Sequence, residues 1–204
     1  MRRKSECHAW RYGAPRKFNS LIVRGNLDIS ETVITVLPKI SVGGSIDARF
    51  SDLKYLPEGM YVNGNFLISD TDIEVLPSNL MVDGSLAFNQ TKIKKLPDNL
   101  LVSGNIYASG SALESLPDNF SLYGNLVLDY LSLDKFPSRL SVHGNLRLYK
   151  TKVGGKLITE EDLPSDLVVT RNVYLTDKKM RKYGLCKLLR ENEPFDDVAT
   201  VETT

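Results

Sequence analysis

Apolar and polar residues alternate along the stretch from Leu80 to Asn99, and close copies of this stretch recur along most of the chain. In an extended backbone, alternate side chains point to opposite faces. The apolar set that falls on one face is Leu80, Val82, Leu86 and Phe88. Two more apolar residues, Ile93 and Leu96, follow it, and Pro97 closes the copy. The pattern predicts a half-buried strand in each copy, followed by a turn.

A glycine marks the same position in each copy, and the copies are spaced by 19 or 20 residues until the last. These glycines are Gly25, Gly44, Gly64, Gly84, Gly104, Gly124 and Gly144. A fixed period of this size is typical of a solenoid, in which stacked coils cover one another's apolar rows. We therefore predict a β-rich solenoid over residues 21–177, with about eight coils whose strands form one parallel β-sheet.

The repeated polar positions predict structural ladders along the solenoid. The glycine faces inward, which indicates a bend or a backbone approach that a Cβ would block. Asn or Ser follows it in the first seven coils, where stacked side chains can bond from coil to coil. A column of Ser and Thr lies further on, and we expect its hydroxyls to bond the backbone of the turn that leads to the following Ile or Leu. The outward side chains of the strands should be free of structural duty.

The ends of the chain and one insertion depart from the repeat. Residues 1–20 form a basic segment that we expect to cap the first coil, because an open apolar end would aggregate. Residues 178–204 predict a short C-terminal helix as the other cap, followed by a flexible tail. Residues 154–162 lengthen the seventh coil.

Composition and charge change this picture little. With 204 residues, of which 42% are hydrophobic and 25% charged, the chain has an ordinary globular composition. The formal net charge of +1 hides a mildly acidic body between two basic ends. Cys7 and Cys186 are the only cysteines, so a disulfide framework is not expected and a reducing cytoplasm is favoured. No apolar run has the length of a membrane span.

Part of the repeat resembles a known family. The run Leu86-x-Phe88-x-x-Thr91-x-Ile93-x-x-Leu96-Pro97 resembles the leucine-rich-repeat pattern, with Thr where that family usually has Asn. The stretch LPDNLLVSGNI, from Leu96 to Ile106, is similar to short repeat proteins of bacteriophages and bacteria. The resemblance implies a right-handed coil and a binding scaffold with varied partners. It leaves open whether the coils form an open horseshoe or a straighter β-solenoid.

Catalytic and metal-binding patterns are missing from the sequence. Cys7 and His8 are adjacent but have no partner cluster of further ligands, so we expect no metal site. The glycines recur because the coil recurs, and they do not form a phosphate-binding motif. We expect neither enzymatic activity nor a cofactor.

The outward face of coils five to eight carries the best candidate residues. Large amphipathic side chains concentrate there, and Tyr and Arg are enriched at the energetic centres of protein interfaces. The candidates are Tyr107, Tyr123, Tyr130, His143, Arg147, Tyr149, Lys150 and Tyr174. They predict a partner-binding surface for another protein, a host factor in the host cytoplasm if the chain is phage-encoded. The oligomeric state stays open.

Two other functions stay open at this stage. Nucleic-acid binding would use the basic N-terminal segment and the C-terminal helix, with Trp10 and Tyr12 available for stacking. A structural component of a virion or cell surface is the third possibility.

Overall fold

The computed structural model describes residues 21–175, and these residues form a parallel β-solenoid. The predicted β-rich solenoid and its parallel sheet are confirmed: the longest sheet has eight strands, one from each coil. Residues 1–20 and 176–204 lie outside the described residues, and with them both predicted caps. None of the helical structure within residues 21–175 is long and apolar enough to cross a membrane.

Each coil is built from very short strands. In chain order they are β1 (Leu21–Val23), β2 (Leu27–Asp28), β3 (Ile40–Val42), β4 (Ile46–Asp47), β5 (Tyr61–Val62), β6 (Phe66–Leu67), β7 (Met81–Val82), β8 (Leu86–Ala87), β9 (Leu101–Val102), β10 (Ile106–Tyr107), β11 (Ser121–Leu122), β12 (Leu126–Val127), β13 (Ser132–Leu133), β14 (Ser141–Val142), β15 (Leu146–Arg147), β16 (Lys152–Val153), β17 (Lys156–Leu157), β18 (Val168–Val169) and β19 (Val173–Tyr174).

The strands line three sides of the solenoid. The first side precedes the repeated glycine and consists of two pieces, β1-β3-β5-β7-β9 and β11-β14-β18. The second side follows that glycine and is the continuous sheet β2-β4-β6-β8-β10-β12-β15-β19. The third side contains β13-β16-β17 and two single parallel bridges, Val36–Tyr55 and Lys95–Ser115. The single strand expected to run through the glycine is therefore two strands separated by a bend.

The bend needs glycine because the coils touch there through their backbones. A Cβ on Gly104 would lie 2.7 Å from the carbonyl oxygen of Gly84, and one on Gly124 would lie 2.2 Å from that of Gly104. Real Cβ contacts do not come this close, so the predicted close approach is confirmed. In the last coil Arg171 occupies the glycine position. The distance from its backbone nitrogen to the Gly144 carbonyl oxygen is 3.3 Å, whereas the distance from the Gly104 nitrogen to the Gly84 carbonyl oxygen is 3.0 Å.

Both predicted polar ladders are present. At the bend, the Asn or Ser side chain of each coil accepts a hydrogen bond from the backbone N–H of the equivalent residue in the next coil, at 2.8–3.1 Å. This ladder runs through Asn26, Ser45, Asn65, Ser85, Asn105, Asn125, Asn145 and Asn172. In the hydroxyl column, Thr71 and Thr91 donate to carbonyl oxygens three residues earlier, and Thr151 donates to Leu128 in the preceding coil.

A second corner, where the second side ends, turns through left-handed backbone. The residue there has φ between 53° and 64° in seven coils: Glu31, Phe50, Asp70, Gln90, Gly110, Tyr130 and Lys150. Only Gly110 is a glycine, although left-handed backbone costs about 1–2 kcal/mol for a residue with a side chain. The turn thus tolerates very different side chains and points them to the surface.

The core is one continuous row of buried apolar side chains inside the coils. Phe66, Phe88 and Ile106 are among its fully buried members. The insertion lies on the third side, where β16 and β17 form an antiparallel hairpin through Gly154 and Gly155. A single 3₁₀ turn, Glu160–Asp162, follows the hairpin.

Candidate interaction surface

The bend divides the eight candidate residues into two groups. Tyr123 and His143 come before the bend glycines and lie on the first side. Tyr107, Arg147 and Tyr174 lie on strands of the second side. The remaining three, Tyr130, Tyr149 and Lys150, lie at the left-handed turn where the second side ends.

The last three form a compact group that we call the tyrosine–lysine cluster. The rings of Tyr130 and Tyr149 meet edge to face, with their centres 5.4 Å apart. The Lys150 ammonium nitrogen lies 5.5 Å from the centre of the Tyr130 ring and 5.1 Å from that of Tyr149. Contacts of this kind are worth about 0.5–1 kcal/mol each at exposed sites. Tyr130 is 56% exposed, so the cluster is ordered and open to solvent at once.

A buried carboxylate holds the neighbours of this cluster in place. Asp129 is only 4% exposed, and one of its oxygens accepts the backbone N–H of Tyr149 at 2.8 Å. The other oxygen lies 2.6 Å from Nε of Arg147. A buried carboxylate requires such partners, so Asp129 fixes both the Arg147 guanidinium and the backbone of Tyr149.

Sequence reasoning missed this role of Asp129. Asp129 is an outward residue by the alternation along its strand, and the expectation that outward side chains are free of structural duty is wrong here. In the same column, Ser69 accepts the N–H of Asn89, and Asn89 accepts the N–H of Ser109. The signal that was available is compositional, because the column is rich in Ser, Asn and Asp, the side chains that bond a neighbouring backbone.

The second side supplies a flatter surface beside the cluster. Arg147 pairs in register with Val127 on one neighbouring strand and with Tyr174 on the other. Tyr107 pairs with Val127 and with Ala87, which is buried. Burial raises the pKa of the Tyr107 and Tyr174 hydroxyls above the ordinary value.

On the first side, Tyr123 and His143 stack face to face. Their ring centres are 4.7 Å apart and the planes differ by 14°. Tyr123 is 77% exposed. Three further exposed apolar residues of the first side were not singled out in the sequence: Tyr61, Met81 and Leu101. They are in register with one another and lie two positions earlier in their coils than Tyr123 and His143.

Within residues 21–175, no group of three or more His, Cys, Asp or Glu side chains is placed to hold a metal ion. Comparisons of the chain with protein-family models, with curated proteins and with solved structures find no match.

Proposed function

We propose that the chain is a non-enzymatic scaffold that binds another protein, and that the tyrosine–lysine cluster is the centre of the contact. The observation that carries this proposal is the combination of order and exposure at Tyr130, Tyr149 and Lys150. Arg147, Tyr107 and Tyr174 extend the contact across the second side.

Preorganisation is the physical reason for expecting affinity there. A flexible, rotamer-rich side chain loses about 0.5–1.5 kcal/mol of conformational freedom when an interface immobilises it. In this cluster the two rings and the ammonium group already hold one another, and Asp129 already holds Arg147. Tyr and Arg are also the side chains that most often form the centres of protein interfaces.

The resemblance to repeat proteins of bacteriophages and bacteria supports a more specific form of the proposal. In this form the chain acts in the cytoplasm, and its partner is a host protein if the chain is phage-encoded. The basic residues on which nucleic-acid binding would depend lie outside the described residues, and that function is an outcome of the test below.

The left-handed turn offers a substitution that removes the cluster and spares the fold. In the double variant Tyr130→Gly with Lys150→Gly, both new glycines adopt φ > 0 without strain, as Gly110 does in the same column. Asp129, Arg147 and Tyr149 remain. The matched control is Phe50→Gly with Gln90→Gly, which makes the same backbone change in other coils.

The experiment is affinity capture from the native cytoplasm, followed by mass spectrometry. We expect the cluster variant to retain its circular dichroism spectrum and to capture a protein partner at least about thirty-fold less well, as for a hot spot of about 2 kcal/mol. The control variant should capture it normally. Equal capture by both variants, or recovery of nucleic acid alone, would remove the cluster from consideration.

A further inference from the structure

The outward residues in the strands of the second side form one continuous row across all eight coils. Strand pairing places each member in direct register with the equivalent residue of the next coil. From the first coil to the eighth they are Asp28, Asp47, Leu67, Ala87, Tyr107, Val127, Arg147 and Tyr174. We call these residues the central row. The row is acidic at its first end and apolar in its middle, and it ends in Arg and Tyr.

The second side is large enough to form a stable dimer interface. In each coil its backbone is extended over about five residues, from Asn26 to Ser30 in the first coil, and hydrogen-bonds to the next coil. Five residues extend about 17 Å along the strand, and eight coils spaced about 4.8 Å apart extend about 38 Å. Each copy would therefore contribute about 650 Å², and standard interfaces take about 600–1,000 Å² from each partner.

Charge decides how a second copy can face the second side. In an aligned packing of two sheets with two-fold symmetry, the axis runs either along the solenoid or along the strands. An axis along the solenoid would set every coil on its own equivalent, with Asp47 on Asp47 and Arg147 on Arg147, and like charges repel.

An axis along the strands, between the fourth and fifth coils, reverses the second copy. The first coil then faces the eighth, the second the seventh, the third the sixth and the fourth the fifth. Because this rotation keeps the position of each residue along the strand, the central row of one copy faces the central row of the other.

The reversed orientation joins complementary residues in the middle of the central row. Ala87 is 8% exposed and would face Tyr107 of the second copy, so a small side chain lies opposite a large one. Leu67 would face Val127, and both are aliphatic. Each contact occurs twice, once on either side of the axis. The middle of the row is thus complementary to itself in size and in polarity.

Towards both ends of the row, the same orientation sets carboxylates opposite hydrogen-bond donors. Asp28 would face Tyr174, and Asp47 would face Arg147. A phenol and a guanidinium both donate hydrogen bonds, which ionised carboxylates accept. The order of residues along the row therefore suits a reversed second copy from end to end.

The contact between Asp47 and Arg147 would extend two ion pairs that each copy already contains. Arg49 lies 2.7 Å from Asp47, and Arg147 lies 2.6 Å from Asp129. Across the interface these four residues would form a chain of alternating charge, Asp129–Arg147–Asp47–Arg49. Alternating charges at an interface favour one orientation and suppress others.

We propose that two copies of this chain form an antiparallel dimer through the second side. The observations that carry the proposal are the self-complementary order of the central row and the area of the sheet. The dimer goes beyond the proposed partner contact and competes with it, because both cover Tyr107 and Arg147. Dimerisation is measured on the purified chain and partner capture in the native cytoplasm, so either proposal can fail alone.

The test is sedimentation equilibrium of the purified full-length chain. We expect the mass of two chains at about 20 μM, with a Kd in the micromolar range or below, as for other interfaces of about this size. Ala87→Glu would set a carboxylate against Tyr107 at both central contacts, and Tyr107→Lys would set an ammonium group against Ala87. Each variant alone should dimerise at least about thirtyfold more weakly, as for a hot spot of about 2 kcal/mol.

An equimolar mixture of the two variants should restore the dimer. In a mixed pair, Glu at position 87 of one copy faces Lys at position 107 of the other, and the second central contact is the native Ala87 with Tyr107. Restoration also shows that both variants fold. The matched controls are Val75→Glu and Tyr55→Lys, which change exposed residues in neighbouring coils of the third side and should stay dimeric.

Several outcomes would overturn the proposal. A wild-type chain that stays monomeric at about 100 μM has no dimer of useful strength. A dimer that both variants retain, or that the third-side controls lose, does not use the second side. Two monomeric variants that stay monomeric when mixed contradict the reversed orientation, and assemblies larger than two chains contradict a closed two-fold contact.

Discussion

The chain turns at both corners that flank the second side, but the residue at the bend is restricted to glycine and the residue at the left-handed turn varies widely. At the bend, backbones of neighbouring coils touch, so a Cβ is excluded and the residue is glycine in coil after coil. At the left-handed turn there is room, and the position holds Phe50, Asp70, Tyr130 or Lys150. Where packing fixes the residue, the sequence carries information on the fold. Where packing does not restrict the residue type, the side chain is available for function.

The largest expected effect is the loss of stability when a Cβ is added to a bend glycine that touches the neighbouring coil, compared with a glycine that does not. In Gly104→Ala the new Cβ would lie 2.7–2.8 Å from Gly84 backbone and from Ser85 Oγ, so the coils must shift. We expect a loss of about 1–3 kcal/mol in the free energy of unfolding, measured by urea denaturation. In Gly25→Ala the Cβ meets nothing within 4 Å among the described residues, so the loss should stay within about 0.5 kcal/mol. Equal losses would contradict the account of the bend.

Breaking the polar ladder beside the bend should cause the second largest loss of stability. Asn105→Ala removes the acceptor of the Asn125 N–H, which is 2.8 Å away and part-buried. An unsatisfied buried donor costs about 1–3 kcal/mol, and we expect about 1–2 kcal/mol here because the site is not fully buried. Asn99→Ala is the control, because the Asn99 side-chain amide donates to the exposed Asn79 side chain, so no buried donor loses its acceptor. A loss for Asn99→Ala as large as for Asn105→Ala would show that the ladder contributes little.

The same Gly→Ala change at the other corner should cost less. In Gly110→Ala the strain is that of left-handed backbone, about 1 kcal/mol, since the close atoms belong to the Gln90 side-chain amide, which can rotate away. Its urea midpoint should fall between those of the wild type and Gly104→Ala. A midpoint at or below that of Gly104→Ala would erase the distinction between the two corners.

The smallest effect concerns pH. Burial raises the pKa of Asp47, but the hydrogen bonds and charge of Arg49 lower it more, and the net result is a pKa below its usual value. A carboxyl whose pKa is lower in the folded state contributes stability above its unfolded pKa of about 3.9 and loses it as the pH falls through the folded pKa. The difference in stability between wild type and Asp47→Asn should therefore shrink from about pH 6 to about pH 3. A difference that does not change with pH would contradict this.

Particular residues show what the sequence could and could not predict. The period and the glycine column predicted the solenoid, and the Asn and hydroxyl columns predicted the ladders, because each repeats one chemical type. The glycine column indicated a bend or a close backbone approach, but the division of the strand into two at that bend was not predicted, since the alternation from Leu80 to Phe88 continues through Gly84. The left-handed column escaped as well, because its side chains share no chemistry.

Burial explains the remaining differences at the candidate surface. Asp129 is an outward residue by alternation, yet the structure buries it under its neighbours. The exposed apolar residues Tyr61, Met81 and Leu101 were overlooked because they differ in type, and only their register places them side by side.

The most direct test of the binding proposal is photo-crosslinking in the native cytoplasm from two positions of the left-handed column. Benzoylphenylalanine replaces either Tyr130 or Phe50, which are both exposed aromatic residues in left-handed backbone, 56% and 60% exposed. The account predicts a crosslink to one partner protein from position 130 and none to that protein from position 50. The same adducts from both positions, or no protein adduct from position 130, would contradict it.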